Sequence, residues 1–181
     1  MTLFVNACVR QESRTERIAR ALLAKLGGDV VELRLAEMGL HPLSAEALAR
    51  RTALTAAGDS ADPMFDLSRQ FAAADEIVIA APFWDFSFPA LLKTYLENIY
   101  VIGIVSRYSD TGAPVGLCRA GRLWYVTTAG GPYVPDYSFD YLRALAVTAF
   151  GIGEARLVKA EMLDVVGFDA EQIVRDTIAA L

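Results

Sequence analysis

The chain alternates between short apolar runs and longer segments in which apolar residues recur at helical spacing. Apolar runs bounded by turn residues are typical of strands buried on both faces of a parallel sheet. Ile18, Leu22 and Leu26 instead show the spacing of one helix face. The pattern predicts five strands, at residues 2–7, 29–35, 76–81, 121–128 and 155–163. The predicted helices end before Gly27, span residues 44–57 and 63–73, begin at Pro89, and span residues 139–150 and 169–180.

The order of these elements indicates one α/β domain over residues 1–181. Strands that alternate with helices are joined by right-handed crossovers, which place helices on both faces of a parallel sheet. Asp62 is the predicted N-cap of the third helix, and residues 107–112 read as a hairpin turn inserted before the fourth strand. No linker or internal repeat interrupts the pattern.

Composition narrows the classes of partner. A net charge of −5 and a pI near 4.9 argue against binding to nucleic acid, which requires clustered Lys and Arg. Cys8 and Cys118 are far apart and are typical of reduced thiols packed as small apolar residues. The first residues read as a strand and not as a signal peptide, and no segment is apolar over the length of a membrane span. We therefore expect a cytoplasmic protein without stable membrane insertion.

Aromatic residues are concentrated directly after the third predicted strand, in Pro82-Phe83-Trp84-Asp85-Phe86-Ser87-Phe88. Doubly wound sheets bind ligands beyond the carboxyl ends of their strands, where the strand order reverses. Rings placed there can stack on a flat heteroaromatic ligand. Two other uses remain open, a corner of the hydrophobic core and an interface between subunits.

The loop after the first strand contains a candidate anion site, formed by Arg10, Ser13, Arg14 and Thr15. Backbone N–H groups, hydroxyls and the helix dipole all favour an anion such as phosphate at a helix start. The same segment also matches a capping box, in which Ser13 caps the helix and Glu16 reaches back to it. The two roles are partly compatible, because a capping hydroxyl can also contact a bound phosphate.

The loop after the fourth strand, residues 128–131, ends in Gly130-Gly131. Glycine backbone can approach a ligand closely, although a Gly-Gly pair is also a common turn. Familiar catalytic signatures are missing elsewhere. His41 is the only histidine, no Cys-x-x-Cys pair or P-loop lysine motif occurs, and Gly151-Ile152-Gly153 precedes a strand instead of following one. We therefore predict no metal site and no catalytic side chain, with the chemistry carried by a bound cofactor.

Together the three loops resemble the flavodoxin-like FMN-dependent NAD(P)H:quinone oxidoreductases and azoreductases. The resemblance rests on Ser13-Arg14-Thr15, on Ala81 to Phe86 with Pro89-x-x-Leu92-Lys93-x-Tyr95, and on Thr128 to Gly131, and it spans nearly the whole chain. It implies a flavodoxin-like fold with a five-stranded parallel sheet in the order 2-1-3-4-5. It also implies an FMN cofactor and a homodimer with active sites at the subunit interface.

The resemblance assigns a part of FMN to each loop. The residues implied at the phosphate are Ser13, Arg14 and Thr15, with Arg10 beside them. Those implied at the isoalloxazine are Pro82, Phe83, Trp84, Asp85 and Phe86. Those implied at its pyrimidine edge are Thr128, Ala129, Gly130 and Gly131. The implied reaction takes electrons from NADH or NADPH and passes two of them to quinone or azo acceptors by a ping-pong mechanism. A non-enzymatic FMN carrier or redox-responsive binding module is the alternative.

Two positions depart from the resemblance. Family members often have Asn in place of Asp85, so a side-chain amide contact to the flavin would be lost while a backbone contact would survive. Arg14 stands where the azoreductases commonly have Gln, which could strengthen phosphate binding. Tyr108 resembles a tyrosine that reaches the partner's pocket, and the alternative is a residue packed at the dimer contact. Tyr133 and Tyr137 could border the pocket, and the favoured interpretation is that they anchor their loop with exposed hydroxyls.

Overall fold

A five-stranded parallel sheet forms the central layer of the structure, a computed structural model that describes residues 1–181. The strands are β1 (Thr2–Asn6), β2 (Val30–Arg34), β3 (Glu76–Ala80), β4 (Ser106–Tyr108), β5 (Pro114–Gly116), β6 (Arg122–Thr128) and β7 (Glu154–Ala160). The sheet order is β2-β1-β3-β6-β7, which confirms the predicted order because β6 and β7 are the fourth and fifth predicted strands. β4 and β5 form the predicted hairpin as a separate antiparallel pair.

Helices cover both faces of this sheet. They are α1 (Arg14–Leu26), α2 (Ala45–Ala56), α3 (Asp66–Ala73), α4 (Ala90–Ile99), α5 (Phe139–Ala144) and α6 (Ala170–Ala179). α1 and α6 pack against one apolar cluster that includes Phe4 and Val126, whereas α3, α4 and α5 pack against the other, which includes Leu3 and Tyr125. Neighbouring strand residues thus face opposite helix layers, which explains why Leu3, Phe4 and Val5 of β1 are all apolar and why every residue of the strand is buried.

Three element boundaries differ from the prediction. The helix predicted at 139–150 is α-helical only to Ala144 and continues as a wider π-helical turn over residues 145–149. The fifth strand ends at Ala160 instead of 163, because Met162 adopts a left-handed backbone with φ 68° and the chain turns onto the loop after β6. Residues 63–65 form a 3-10 turn, capped by Asp62 as predicted, before α3 begins.

The β4–β5 hairpin is seated on the turn that follows α5. Cys118 donates its backbone N–H to the carbonyl of Phe150 at 3.1 Å. Gly116 lies so close to this turn that an added Cβ would overlap the backbone nitrogen of Gly151. The hairpin is therefore fixed to the body by backbone contact. No helix of the structure combines the length and apolar composition needed to cross a bilayer.

Candidate functional site

A cleft of about 870 Å³ opens beyond the carboxyl ends of β1, β3, β6 and β7. It is lined by residues 8–17 with Arg20, by residues 82–84 and 128–130, and by Leu163, Asp164 and Glu171. The three loops selected from the sequence thus share one cavity, as parallel topology requires of loops that follow neighbouring strands. A further segment, the turn after β7, completes the wall.

Unpaired backbone donors form the end of the cleft next to α1. The N–H groups of Val9 through Thr15 have no acceptor within the chain, whereas the flanking amides of Cys8 and Glu16 bond to side-chain oxygens. These donors lie at the start of a thirteen-residue helix, where the helix dipole adds partial positive charge. Such an array of unpaired donors can bind an anion.

Ser13 caps α1, accepting the N–H of Glu16 at 3.2 Å. The other half of the predicted capping box is wrong, because the Glu16 carboxylate turns away to Arg34 and Arg20. Hydrogen bonds from Arg34 in particular lower the pKa of Glu16 to about 2. Two cationic partners outcompete a single backbone N–H for this carboxylate, since charge-assisted hydrogen bonds are the stronger ones.

A hydroxyl pair ties the first loop to the third. The Oγ1 atoms of Thr15 and Thr128 lie 2.6 Å apart, and Thr15 is buried. This bond joins the first turn of α1 to the end of β6 across the floor of the cleft. The anion end and the glycine loop therefore hold a fixed distance from each other.

The aromatic loop is a tight turn built on left-handed backbone. Asp85 and Phe86 have φ of 52° and 65°, and Trp84 and Ser87 exchange both backbone hydrogen bonds across them at 2.8 Å. Asp tolerates this conformation through its short polar side chain, whereas Phe has no such compensation. The turn leaves the N–H groups of Asp85 and Phe86 without acceptors in the chain and holds the Phe86 side chain outward, 55% exposed.

The loop after β6 carries a second set of unpaired donors. The N–H groups of Gly130 and Gly131 have no acceptor within the chain, although Ala129 is anchored to the carbonyl of Ala160 at 2.9 Å. Glu161 accepts the N–H of Tyr133 at 2.8 Å and fixes the far end of the loop. The two glycine amides are therefore available while the loop around them is held in place.

Tyr133 departs from its predicted environment. It is 4% exposed, its ring lies 4.4 Å from that of Phe83, and its hydroxyl bonds to Ser138 at 2.6 Å and to Asp136. Burial raises the pKa of this phenol. The prediction of an exposed hydroxyl is wrong for Tyr133, whereas Tyr137 is exposed. Tyr133 supports Phe83 from behind and links the aromatic loop to the glycine loop.

Charged side chains of both signs line the cleft, a balance that the sequence reasoning missed. Arg14 donates to Asp164 at 3.0 Å, and Glu171 accepts from Arg17 at 2.8 Å. Of the four lining arginines, only Arg10 forms no ion pair. The signal for Asp164 was its position just after the last strand, next to the Gly-Gly loop in a sheet of this order.

The predicted site residues divide into two groups in the structure. Those that line the cleft are Arg10, Ser13, Arg14, Thr15, Pro82, Phe83, Trp84, Thr128, Ala129 and Gly130. Those outside its lining are Asp85, Phe86, Gly131 and Tyr108. Asp85, Phe86 and Gly131 directly follow lining residues, whereas Tyr108 lies on the separate hairpin and is 61% exposed.

Cys8 is the reactive side-chain type at the floor of the cleft. It is buried, and that burial raises the pKa of its thiol to about 11. The thiolate, which is the nucleophilic form, is therefore scarce at neutral pH. Burial therefore keeps the Cys8 thiol from being an activated nucleophile. No group of three or more metal-binding side chains comes together anywhere in the structure.

Comparisons with known proteins agree with this geometry. A family model described as a flavodoxin-like fold matches residues 1–180. The chain is 35% identical to FMN-dependent NADH:quinone oxidoreductase 2 of Clostridium acetobutylicum, with 97% of this chain and 93% of that protein covered. It is 32% identical to the FMN-dependent NADH:quinone oxidoreductase of Coprothermobacter proteolyticus, with 93% and 88% covered.

Solved structures share the fold. An azoreductase from Bacillus anthracis matches with a TM-score of 0.83 at 23% identity, covering 99% of this chain and 95% of that one. An FMN-dependent NADH-azoreductase from the same species, solved in complex with FMN, matches with a TM-score of 0.82 at 23% identity, covering 99% and 94%. The shared fold, the coverage of nearly the whole chain and the identity to the curated relatives all indicate the same family. The chain therefore belongs to the flavodoxin-like family of the FMN-dependent NADH:quinone oxidoreductases.

Proposed function

We propose that this chain is an FMN-dependent oxidoreductase that takes electrons from NADH and passes two of them to quinone or azo acceptors. The observation that carries the proposal is that two loops with unpaired backbone donors meet at one cleft with aromatic side chains in its wall. The donors are the amides of residues 9–15 and those of Gly130, which lines the cleft, and Gly131, which directly follows it. FMN has a phosphate at one end and a flat ring system with a polar edge at the other. The donor chemistry of the cleft fits both ends.

The phosphate is proposed to bind at the start of α1. Its charge would be met by the amides of residues 9–15 and by the guanidinium of Arg10, which has no ion pair to give up. The hydroxyls of Ser13 and Thr15 lie on the same turn and are proposed as further contacts. Neutral dipoles and one free cation thus provide an anion site within an acidic protein.

The isoalloxazine is proposed to lie along Phe83 and Trp84, next to the turn that follows them. The amides of Asp85 and Phe86 are free to donate to the edge of the ring system, so replacement of the family's Asn by Asp85 leaves this backbone contact intact. Gly130 and Gly131 would donate to the pyrimidine edge. Fixed donors at that edge favour the reduced state, because they stabilise the negative charge that grows there.

Held by the loop between β1 and α1, by Phe83 and Trp84 and by the Gly130-Gly131 loop, FMN would supply the two-electron chemistry that connects NADH to a quinone or azo acceptor, with the nicotinamide and the acceptor occupying the pocket in turn. The chain binds the ligands, orients them and limits the access of water. None of its cleft residues has to act as acid or base, and Cys8 remains a thiol at neutral pH. The alternation of two substrates in one pocket is the proposed ping-pong order.

The names of the curated relatives support this choice of donor and acceptor, since each specifies NADH and quinone. We further propose a cytoplasmic homodimer, in which the exposed Tyr108 of the hairpin contacts the active site of the partner copy. Sedimentation of the purified protein tests the dimer. Tyr108→Ala is expected to raise the KM for a quinone without changing the affinity for FMN.

Absorption spectroscopy tests the function directly. Purified protein loaded with FMN is expected to bleach on addition of NADH under anaerobic conditions and to regain its colour when a quinone is added. A protein that binds no FMN refutes the proposal. Bound FMN that NADH does not reduce at a useful rate identifies a non-enzymatic carrier or binding module instead.

The aromatic loop has its own test, because it could serve only as a contact between subunits. Trp84 is 39% exposed and lines the cleft. Trp84→Ala is expected to weaken FMN binding and leave the oligomeric state unchanged. The reverse result, altered assembly with unchanged FMN affinity, assigns the loop to a subunit interface.

A further inference from the structure

We propose that Asp164 sets the affinity of the phosphate subsite by competing with the phosphate for Arg14, an inference that rests on the FMN function proposed above. Arg14 is the first residue of α1 and lines the end of the cleft where the free amides lie. Its Nη1 atom donates to Oδ1 of Asp164 at 3.0 Å. A phosphate at this helix start and the Asp164 carboxylate therefore seek the same cation.

Asp164 is well placed for this competition. The turn after β7 fixes its backbone, because its N–H donates to the carbonyl of Gly130 at 2.9 Å. Its carboxylate also leans over the glycine loop, since a Cβ added to Gly130 would lie 2.5 Å from Oδ2. The carboxylate thus stands between the glycine loop and the first residue of α1.

Arg14 does not depend on Asp164 for its position. Its Nη1 atom also donates to the backbone carbonyl of Leu163 at 3.3 Å, and its Nε atom lies 4.0 Å from Glu171. Glu171 is itself engaged by Arg17 at 2.8 Å. Loss of the Asp164 charge would therefore leave Arg14 oriented toward the same wall of the cleft, with most of its charge free for an anion.

Asp164 has Arg14 as its only side-chain partner, and its side chain is 69% exposed. An exposed ion pair is weak, so a phosphate that also accepts hydrogen bonds from the free amides of this loop can displace the carboxylate. The net effect is a lower affinity, because each binding event must break the pair and place phosphate near a carboxylate. Asp164 thus tunes the subsite toward reversible binding without closing it.

Titration of flavin fluorescence tests the inference with FMN and with riboflavin, which lacks the phosphate. Asp164→Asn is expected to lower the Kd for FMN about two- to fivefold, the worth of an exposed pair, and to leave the Kd for riboflavin unchanged. Asp176→Asn removes the same charge from α6 outside the cleft lining and is expected to change neither. Weaker binding of both flavins to Asp164→Asn would overturn the inference, because it would make Asp164 a ligand of the ribityl chain.

A second background isolates the role of Arg14. In the Arg14→Gln background, the additional change Asp164→Asn is expected to have little effect on FMN affinity, because the guanidinium for which the carboxylate and the phosphate compete is absent. A gain that persists without Arg14 would show simple repulsion of phosphate and would overturn the competition.

Inorganic phosphate separates this inference from the FMN function. In flavin-free protein, Asp164→Asn is expected to gain more thermal stability from added phosphate than the wild type gains, because the stabilisation grows with the logarithm of one plus the ligand concentration divided by Kd. Equal gains refute the role of Asp164 and leave the FMN proposal untouched. Failure of the wild type to bind FMN, with the phosphate effect present, refutes the FMN function alone.

Discussion

Phe86 gives the sharpest test of the aromatic turn, because a large side chain there occupies backbone that favours glycine. Its φ is 65°, and the turn around it is closed by two backbone hydrogen bonds of 2.8 Å between Trp84 and Ser87. We compare Phe86→Gly with Phe86→Ala in the flavin-free protein. Both changes remove the ring, so the difference between them reports the backbone alone.

The expected difference follows from two opposing effects. A side chain in the left-handed region costs about 1–2 kcal/mol, which the glycine variant avoids. Glycine also gains more freedom in the unfolded chain, which costs about 0.5–1 kcal/mol. The glycine variant should therefore be about 0.5–1 kcal/mol more stable than the alanine variant. In a chain of this size that corresponds to roughly 1–4 °C in Tm.

Urea denaturation followed by circular dichroism measures both free energies of unfolding. Ser87 provides the control, since it lies in the same turn without a positive φ. At this position the alanine variant should be more stable than the glycine variant by about 0.5–1 kcal/mol. An alanine variant at Phe86 that equals or exceeds the glycine variant would refute a left-handed backbone at that position.

Three further predictions concern contacts that hold the elements of the fold together. Hydrogen bonds from arginines hold the pKa of Glu16 at about 2 instead of 4.5, so its stabilisation is present above about pH 4.5 and lost toward pH 2. Discounted for partial exposure, this stabilisation should amount to about 1–2 kcal/mol. The difference in unfolding free energy between wild type and Glu16→Gln should shrink by that amount over this pH range. A difference that stays constant with pH contradicts the prediction. Gly116→Ala should destabilise the protein by about 1–3 kcal/mol, because the added Cβ overlaps the backbone of Gly151. Gly121 has open space around it, so Gly121→Ala should change the stability little. Equal effects in thermal denaturation argue against the close approach of Gly116 to Gly151. Thr128→Val breaks the 2.6 Å hydroxyl pair and should lower the free energy of unfolding by about 1–3 kcal/mol in urea denaturation. Thr127→Val removes a buried hydroxyl that has no partner and should leave the free energy of unfolding unchanged. A larger loss for Thr127→Val than for Thr128→Val rules out the pairing.

Hydrophobic periodicity was sufficient to predict five strands of a parallel sheet, because strands buried on both faces are largely apolar. The order of the strands was implied by the family resemblance. Periodicity failed where it continues beyond the element. Residues 161–163 read as part of the fifth strand, yet the left-handed backbone of Met162 turns the chain there. Likewise, the apolar spacing of residues 145–149 looks helical, and only the backbone shows the wider π-helical turn. Local sequence does not encode these changes of direction.

Topology predicted which loops meet, whereas the polar contacts inside the cleft depend on distant residues. Ser13 was recognisable as a cap from its local context, but the partner of Glu16 is Arg34, eighteen residues away. Asp164 follows the last strand both in the prediction and in the structure, but its contact with Arg14 joins residues 150 positions apart and has no local sequence signal. A carboxylate beside a proposed phosphate site also runs against charge complementarity, so the sequence alone does not indicate one there.

The balance of charges in the cleft bears on how an acidic protein would hold the proposed phosphate. Net charge acts over long distances, and at physiological salt it is screened beyond about 8 Å. At shorter range the lining arginines Arg14, Arg17 and Arg20 are each paired with a carboxylate, which leaves Arg10, the carboxylate of Glu12 and the amides of residues 9–15 as the groups without an ion pair or acceptor at this end of the cleft. The backbone dipoles among these groups are positioned by the loop fold and not by the net charge. The proposed anion site therefore depends on the loop between β1 and α1, and the paired side chains are expected to adjust its strength.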